Sequence, residues 1–490
     1  MKLRHISLSE PLVVVAATSV LFFFAQLAGL WLGRSVLLNQ AGPALLGIVC
    51  AWAAYTTVRK EPLALWAPIP WFLAACAVYF GFGPLIYHFG SEDSVIFIDN
   101  YYAISERDLA RTNMLNAIGV ALVLYGFFLG KKLFLRVKTG QPRQFNFNMT
   151  RRFLFMFLAI GLSVEFLFVL PYKLGLLPWT LPGAIQFLST FSKIAIILLF
   201  VLIGRGFGRY RLLLYGLIGF ELVIAIMSFS KLAVIEVFIT VGLGWYLVRP
   251  NLRGLVLGGV VVLVLYIFIL SPFVAFGRLA YNALGVGTVG EIATVVEEYG
   301  GTNRDDLAGL IPGVQSWWTR FSYANAQAFA MDDYDQGAGG ETVKLAYYAF
   351  VPRLFFPDKP LMTPGREFTA AVIGEGSDTH TTPGIFAEAY WNGGWVLVVI
   401  VCLYVGVVFA GFTRFVERVI GANKYEYLPI VMIGITLGHS PDSWFAATYV
   451  GSLAQAFGLY VVLRVMVTVL LRGFRGAGAS ANVAMKTGGR

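Results

Sequence analysis

The chain has 490 residues, of which 58% are hydrophobic and only 13% charged, with a formal net charge of +10 and a mean hydropathy of +0.73. A soluble globular chain carries about a quarter charged residues, so composition excludes a soluble domain. The positive balance does not mark a nucleic-acid binder, because the basic residues sit in short connections between apolar runs, the pattern of a positive-inside bias.

Those runs are about the 17–25 residues that a helix needs to cross a bilayer. The first, PLVVVAATSVLFFFAQLAGLWL, imitates a secretion signal but is long and lacks a small-x-small cleavage site, so a retained span is expected. In chain order the pattern predicts an all-α polytopic membrane protein with about twelve helices. They fall at 11–32, 42–58, 64–88, 112–130, 152–170, 185–204, 212–228, 232–248, 254–273, 385–411, 427–440 and 445–471. The stretch KKLFLRVKTGQPRQFNFNMTRR holds seven Lys or Arg and no acid, and RGFGRYR, RPNLR, TRFVERVIGANK and the C-terminal RGFRGAGASANVAMKTGGR are basic too. Counting spans puts all five on the side of Lys2 and Arg4, which predicts cytoplasmic N- and C-termini. The Asn148-Met-Thr150 sequon falls on that side and is expected to be silent.

This organisation divides the chain into helices 1–9 (1–273), a periplasmic loop (274–384), helices 10–12 (385–472) and a cytoplasmic tail (473–490). The loop holds thirteen acids against seven bases. Its GLIPGVQSWWTRFSYANAQAFAM stretch has helical spacing and large aromatics, so part of the loop is expected to fold and dock. A smaller outer loop, 91–113, is expected beside it. Cys50, Cys76 and Cys402 are isolated in apolar runs and the four histidines lack ligand spacing, so no disulfide framework, metal site or cofactor is expected.

The chemistry concentrates in FVPRLFFPDKPLMTPGREF, residues 350–368. Prolines 352, 357, 360 and 364 forbid continuous helix, so a stiff backbone presents Arg353, Asp358, Lys359 and Arg366 near the water–lipid boundary. Arg278 leaves span nine in the same layer, and Lys231, in the SFSK turn, adds a further cation. Such a cluster fits either lipid head groups in general or a phosphorylated lipid held by paired guanidinium donors. Downstream, Asp378, His380 and Glu388 lie in EGSDTHTTPGIFAEAYWNGGW. A partly buried Glu388 at the start of span ten suits a general base, and the plainer reading is a helix-start carboxylate favoured by the dipole. His380 reads equally as an exposed loop histidine. His439 and Asp442 mark another outer turn. Lys193, Glu165, Glu221 and Glu236 fall inside spans, as structural ion pairs or as a polar floor beneath the outer site. Gly254-x-x-x-Gly258 is a weak helix-packing signal.

PRLFFPDKP, the following GREF and then PGIFAEAYWNGGW leading into a span, with twelve spans and a long late outer loop, resemble the bacterial O-antigen polymerase (Wzy) family, the oligosaccharide repeat-unit polymerases. An Arg-x10-Gly pattern of some members is missed by one residue, and Lys231 stands where an Arg is expected. The resemblance implies a GT-C-like glycosyltransferase architecture and metal-independent, inverting transfer at the outer face of the bacterial inner membrane. It implies undecaprenyl-diphosphate-linked oligosaccharide as donor and acceptor, and a flippase and chain-length regulator of the same pathway as partners. It implies that Arg278, Arg353, Lys359 and Arg366 hold the diphosphate and that Glu388 is the catalytic acid of the family's segment; the residues themselves add Lys231 as a further cation for the diphosphate, His380 as a second base candidate, and Asp358, Asp378, His439 and Asp442 as supporting groups. The same residues leave open an O-antigen ligase or other lipid-linked sugar transferase, and a twelve-helix transporter or lipid-oligosaccharide flippase.

Overall fold

The computed structural model describes residues 9–487 except 34, 100–101, 135–144, 174–175, 178–180, 182, 229, 272, 275–316, 352–355, 357–363 and 375–380. The chain is an all-α, multi-pass membrane protein: among the described residues there is no strand, and eleven helices are long and apolar enough to span. In chain order these are α1 (Glu10–Trp31), α2 (Ser35–Lys60), α3 (Pro68–Phe89), α5 (Glu106–Phe134), α6 (Phe147–Tyr172), α7 (Ile185–Gly204), α8 (Gly208–Met227), α9 (Lys231–Val248), α10 (Leu252–Leu270), α13 (Gly384–Val419) and α15 (Phe445–Val469). Between them come the short helices α4 (Glu92–Asp99), α11 (Ala324–Asp335), α12 (Pro364–Ile373) and α14 (Leu428–His439).

Several predicted boundaries shift, and three differences are instructive. The second span begins at Ser35 rather than 42, with Pro43 inside it, because polar Asn39 is fully buried and hydrogen-bonded to Gln26 and Glu106. The eleventh expected span, 427–440, is α14, whose twelve residues rise only about 18 Å against a hydrocarbon core of about 30 Å. The last helix continues beyond the expected span end at 471 to Thr487, with no proline after residue 451 to interrupt it.

The basic connections gather at one end of the bundle. Arg205 lies over the Phe145 ring at 4.8 Å, Phe147 stacks on Phe207 at 4.0 Å and Phe145 meets Tyr425, so three basic connections touch there. Opposite, at the far end, the described residues 317–351 and 364–374 fold onto the bundle. Helix α11 buries Ala324, Ala326, Gln327, Ala328, Ala330 and Met331 against α5 and α13, and Gln327 exchanges amide hydrogen bonds of 2.9 Å with Asn116 of α5.

The axis of the core is the α5–α13 crossing, the most extensive helix contact. Glycines make it close: a Cβ on Gly126 would sit 2.4 Å from the Leu403 carbonyl oxygen, and one on Gly406 would sit 2.1 Å from that of Val123. In a bilayer, where helices gain little from hiding apolar surface from water, such backbone approach carries the packing. The Gly126-Phe-Phe-Leu-Gly130 spacing is the glycine pair that packs. Gly254 and Gly258 serve no such contact, Gly254 facing the Trp245 ring and a Cβ on Gly258 meeting nothing within 4 Å. Gly406→Ala is therefore expected to push the two helices apart at a cost of about 1–3 kcal/mol, read as a lowered thermal midpoint of the detergent-purified protein. Gly258→Ala should leave that midpoint in place; equal midpoints for all three proteins contradict the assignment.

Candidate functional site

Four helical spans pass through π turns: Ala77–Phe82 in α3, Glu165–Val169 in α6, Tyr266–Leu270 in α10 and Phe445–Val450 entering α15. All four lie in the far-end halves of their spans. A π turn forgoes regular i→i−4 bonding and is often kept at functional sites. Three of them face the folded segment. The short 3₁₀ helix Trp317–Phe321 sits on the first, Trp318 donating its indole N–H to the Phe82 carbonyl at 2.9 Å, and the Phe321 ring packs against Tyr79 and Tyr266. Only glycine fits at 83, where a Cβ would lie 2.1 Å from the Phe321 carbonyl oxygen.

Beside this contact, the Tyr323 hydroxyl donates to Asp442 Oδ2 at 3.0 Å, and Tyr79 meets the Tyr323 ring edge-on at 5.4 Å. The Pro441–Asp442 turn is tied to the start of α13, because Thr382 donates to the Asp442 carbonyl at 2.8 Å and Ile385 N–H to that of Pro441 at 2.9 Å. Burial pushes the Asp442 carboxyl above the usual carboxylate range, with the Tyr323 hydrogen bond and neighbouring His439 pulling the other way. Two cations border the group. Lys231, the first residue of α9, donates to Ser271 Oγ at 2.8 Å and lies 5.5 Å from the Tyr266 ring centre. Exposed Arg320 acts electrostatically on both Tyr266 and Tyr323. Deeper along α9, Glu236 pairs with Lys193 of α7 at 2.6 Å, and its charge reaches His439. Glu221 and Glu165, both buried, act on the same ammonium. The four intramembrane charges of the sequence thus lie together beneath the Asp442 turn.

Glu388 is placed differently from its expectation. It was read as a partly buried acid at the membrane entrance; it is wholly enclosed. Its Oε1 accepts from Thr342 Oγ1 at 2.8 Å and its Oε2 from the Phe445 backbone N–H. A general base must touch the proton it removes, and these contacts instead make Glu388 a staple between α13, the 3₁₀ helix Thr342–Phe350 and the start of α15. The rest of its segment does similar work. Asn392 donates to Thr342 Oγ1 and accepts from Val343 N–H, both at 2.9 Å, and Gly394, at φ +59°, lies against the Tyr334 ring.

Of the other predicted residues, Arg278, Arg353, Asp358, Lys359, Asp378 and His380 lie outside the described residues. Arg366 is exposed on α12, whose opposite face is anchored by Phe368, fully buried against Trp391, Trp444 and Phe329. His439 and Asp442 are brought together, each acting electrostatically on the other, while Lys231 lies one ring away against Tyr266 and Arg366 sits apart on α12.

What the sequence reading missed is how the folded segment is held. Helix α11 ends in Asp332-Asp-Tyr-Asp335, three carboxylates at a C-terminus where the helix dipole disfavours negative charge. Each is met from outside. Arg111 of α5 reaches Asp332 and Asp335 with its two terminal nitrogens, Tyr102 donates to Asp332 at 2.7 Å, Tyr390 to Asp335 at 3.0 Å and Trp391 to Asp333 at 2.7 Å. The available signal was Arg111 itself, an arginine in the first turns of a span with a run of acids elsewhere on the same side.

Compared with family models, curated proteins and solved structures, the chain matches none.

Arg111→Gln is expected to loosen α11, at about 1.5–3 kcal/mol for the charge-assisted bonds lost, less in high salt because Asp335 is 44% exposed. Limited proteolysis of protein in nanodiscs should then cut between residues 317 and 350 several-fold faster than in wild type. An unchanged cleavage rate contradicts the clamp.

Proposed function

We propose that this chain is a glycosyltransferase of the bacterial inner membrane that polymerises undecaprenyl-diphosphate-linked oligosaccharide repeat units at the periplasmic face. The observation that carries the reading is the Tyr323–Asp442 pair, a carboxyl raised by burial, with Arg320 acting on Tyr323 and Lys231 lying against neighbouring Tyr266, under a docked segment at the end of the bundle away from the basic connections. A positive-inside bias assigns that far end to the periplasm, which leaves both termini in the cytoplasm. The motif resemblance in 350–395 supplies the substrate class.

The chemistry follows from the charges. As the anomeric bond breaks, negative charge gathers on the lipid diphosphate, and fixed cations stabilise that charge more in the transition state than in the ground state. Lys231 and Arg320 take this role; Arg353 and Lys359, which the motif resemblance assigns to the diphosphate, lie outside the described residues. Asp442 removes the proton of the acceptor hydroxyl as that oxygen attacks the anomeric carbon, Tyr323 orienting the carboxylate. The carboxyl's raised affinity for a proton makes it a stronger base than an ordinary carboxylate. Glu388 keeps the Asp442 turn in position by holding the Phe445 N–H.

A second reading, a transporter or lipid-oligosaccharide flippase, is favoured by one observation: Lys193, Glu236, Glu221 and Glu165 form a charged cluster inside the bundle, where ionisable groups often mark a transport path. Potential-dependent flux in vesicles without any change in glycan length would select it. An O-antigen ligase would use the same donor and yield one long transfer to a lipid core instead of a ladder.

The test is incubation of the purified protein with lipid-diphosphate oligosaccharide and a gel for product length. Wild type should give a ladder whose rate falls as pH drops through the Asp442 pKa, above the ordinary carboxylate range, because the base works deprotonated. Asp442→Asn should lower the rate by about 10²-fold or more and abolish that acid limb. Glu388→Gln should lower thermal stability and keep the pH profile of whatever activity remains. A ladder from Asp442→Asn within a few-fold of wild type overturns the assignment of the base; no ladder from wild type overturns the reading.

A further inference from the structure

A long groove runs between α2–α3 and α9–α10 at the basic-end half of the bundle, far from the Asp442 site. It encloses about 860 Å³ and is lined almost wholly by apolar groups, with Trp71 on α3, Trp245 on α9 and Gly254, Gly258 and Gly259 along α10. Its α10 wall is unusual, since none of the residues Leu252–Leu265 is buried by protein. Thirteen steps from Leu252 to Leu265 give the groove a length of about 20 Å, more than the roughly 15 Å depth of one leaflet. Hydrocarbon from one leaflet can therefore lie in it along its whole length.

The groove does not end in bare lipid. It shares Tyr55, Val58 and Leu252 with a second, polar pocket of about 470 Å³ at the basic end, where Arg59 closes α2 and Arg253 opens α10. None of the residues lining that pocket is acidic. Among the described residues neither guanidinium forms an ion pair, whereas neighbouring Lys60 is held by Glu10 at 2.8 Å. An apolar trough opening directly into a pocket with two uncommitted guanidinium groups has the shape and charge of one kind of occupant. Guanidinium forks match phosphate oxygens, and the level at which Arg59 and Arg253 sit, where α2 ends and α10 begins, is that of lipid head groups.

We propose that this groove and pocket form a binding site for a single anionic phospholipid, its phosphate between Arg59 and Arg253 and one acyl chain along the α10 glycines past Trp71 and Trp245. The bound chain supplies the packing that α10 lacks from protein and so fixes α10, whose other end carries Tyr266 beside Lys231. This site stands apart from the glycosyl-transfer reading and survives if that reading fails.

Trp71 and Trp245 make the occupant visible. Full-length protein in phosphatidylcholine nanodiscs is titrated with phosphatidylglycerol brominated in its acyl chains, and tryptophan quenching is followed; brominated phosphatidylcholine is the parallel arm. Saturable quenching at low mole fraction is expected for the anionic lipid alone, and is expected to be largely lost in Trp71→Phe/Trp245→Phe. Arg59→Gln/Arg253→Gln should weaken it about 10- to 30-fold, Arg59→Lys/Arg253→Lys much less. Gly258→Phe, where open space receives the ring, should block it with both arginines present, and soluble glycerol phosphate should not compete. Equal quenching by the two lipids in wild type overturns the proposal without recourse to any variant, as does undiminished quenching in Gly258→Phe.

Discussion

Three carboxylates at the wrong end of a helix govern the far end of this molecule. Asp332, Asp333 and Asp335 close α11 against its own dipole, so the helix is unfavourable by itself and becomes favourable only where donors wait for it. Those donors, Arg111, Tyr102, Tyr390 and Trp391, belong to separate parts of the bundle and converge because α5 and α13 cross at glycine distance. Separating the helices would take Arg111 away from Tyr390 and leave the aspartates unmet. The intimate crossing and the docked segment are thus one constraint seen from two sides.

Everything proposed about chemistry sits on that platform. With α11 fixed, the preceding Trp317–Tyr323 stretch is carried onto the π turns of α3 and α10, and Tyr323 reaches Asp442. Glu388 does the corresponding work from below, binding the Phe445 N–H and Thr342 so that the turn between α14 and α15 cannot drift. A buried carboxylate of this kind is costly unless its oxygens are met, and here both are. The residues around Asp442 are therefore held by two sets of acids with structural duties, while Asp442 itself is partly buried and accepts from Tyr323.

The span pattern was legible because bilayer thickness imposes a length, and composition then marks each segment without reference to its neighbours. Polar residues spoiled the boundaries. Asn39 and Arg111 looked like the ends of spans and are interior partners, since their satisfaction comes from Glu106 and from Asp332 and Asp335, distant in sequence. The charges Lys193, Glu165, Glu221 and Glu236 were visible as intramembrane groups, but which of them pair depends on helix rotation, which periodicity alone leaves free. The same freedom hid the packing role of Gly126-x-x-x-Gly130 while Gly254-x-x-x-Gly258 drew attention; small residues mark a possible contact, and the neighbouring helix decides whether it forms. For Glu388 the sequence indicated the start of a span and missed the enclosure, because Thr342 and Phe445 reach it from segments 46 and 57 residues away.

The central claim is that the Tyr323–Asp442 site at the far end receives a lipid-linked diphosphate. Electron cryomicroscopy of the protein in nanodiscs with a non-cleavable phosphonate analogue of a lipid-diphosphate oligosaccharide tests it directly. The account predicts the two phosphorus centres within hydrogen-bonding reach of Lys231 and Arg320, with sugar density extending over Asp442. Density for the diphosphate at the basic end of the bundle, or on a surface remote from the Tyr323–Asp442 pair, would contradict it.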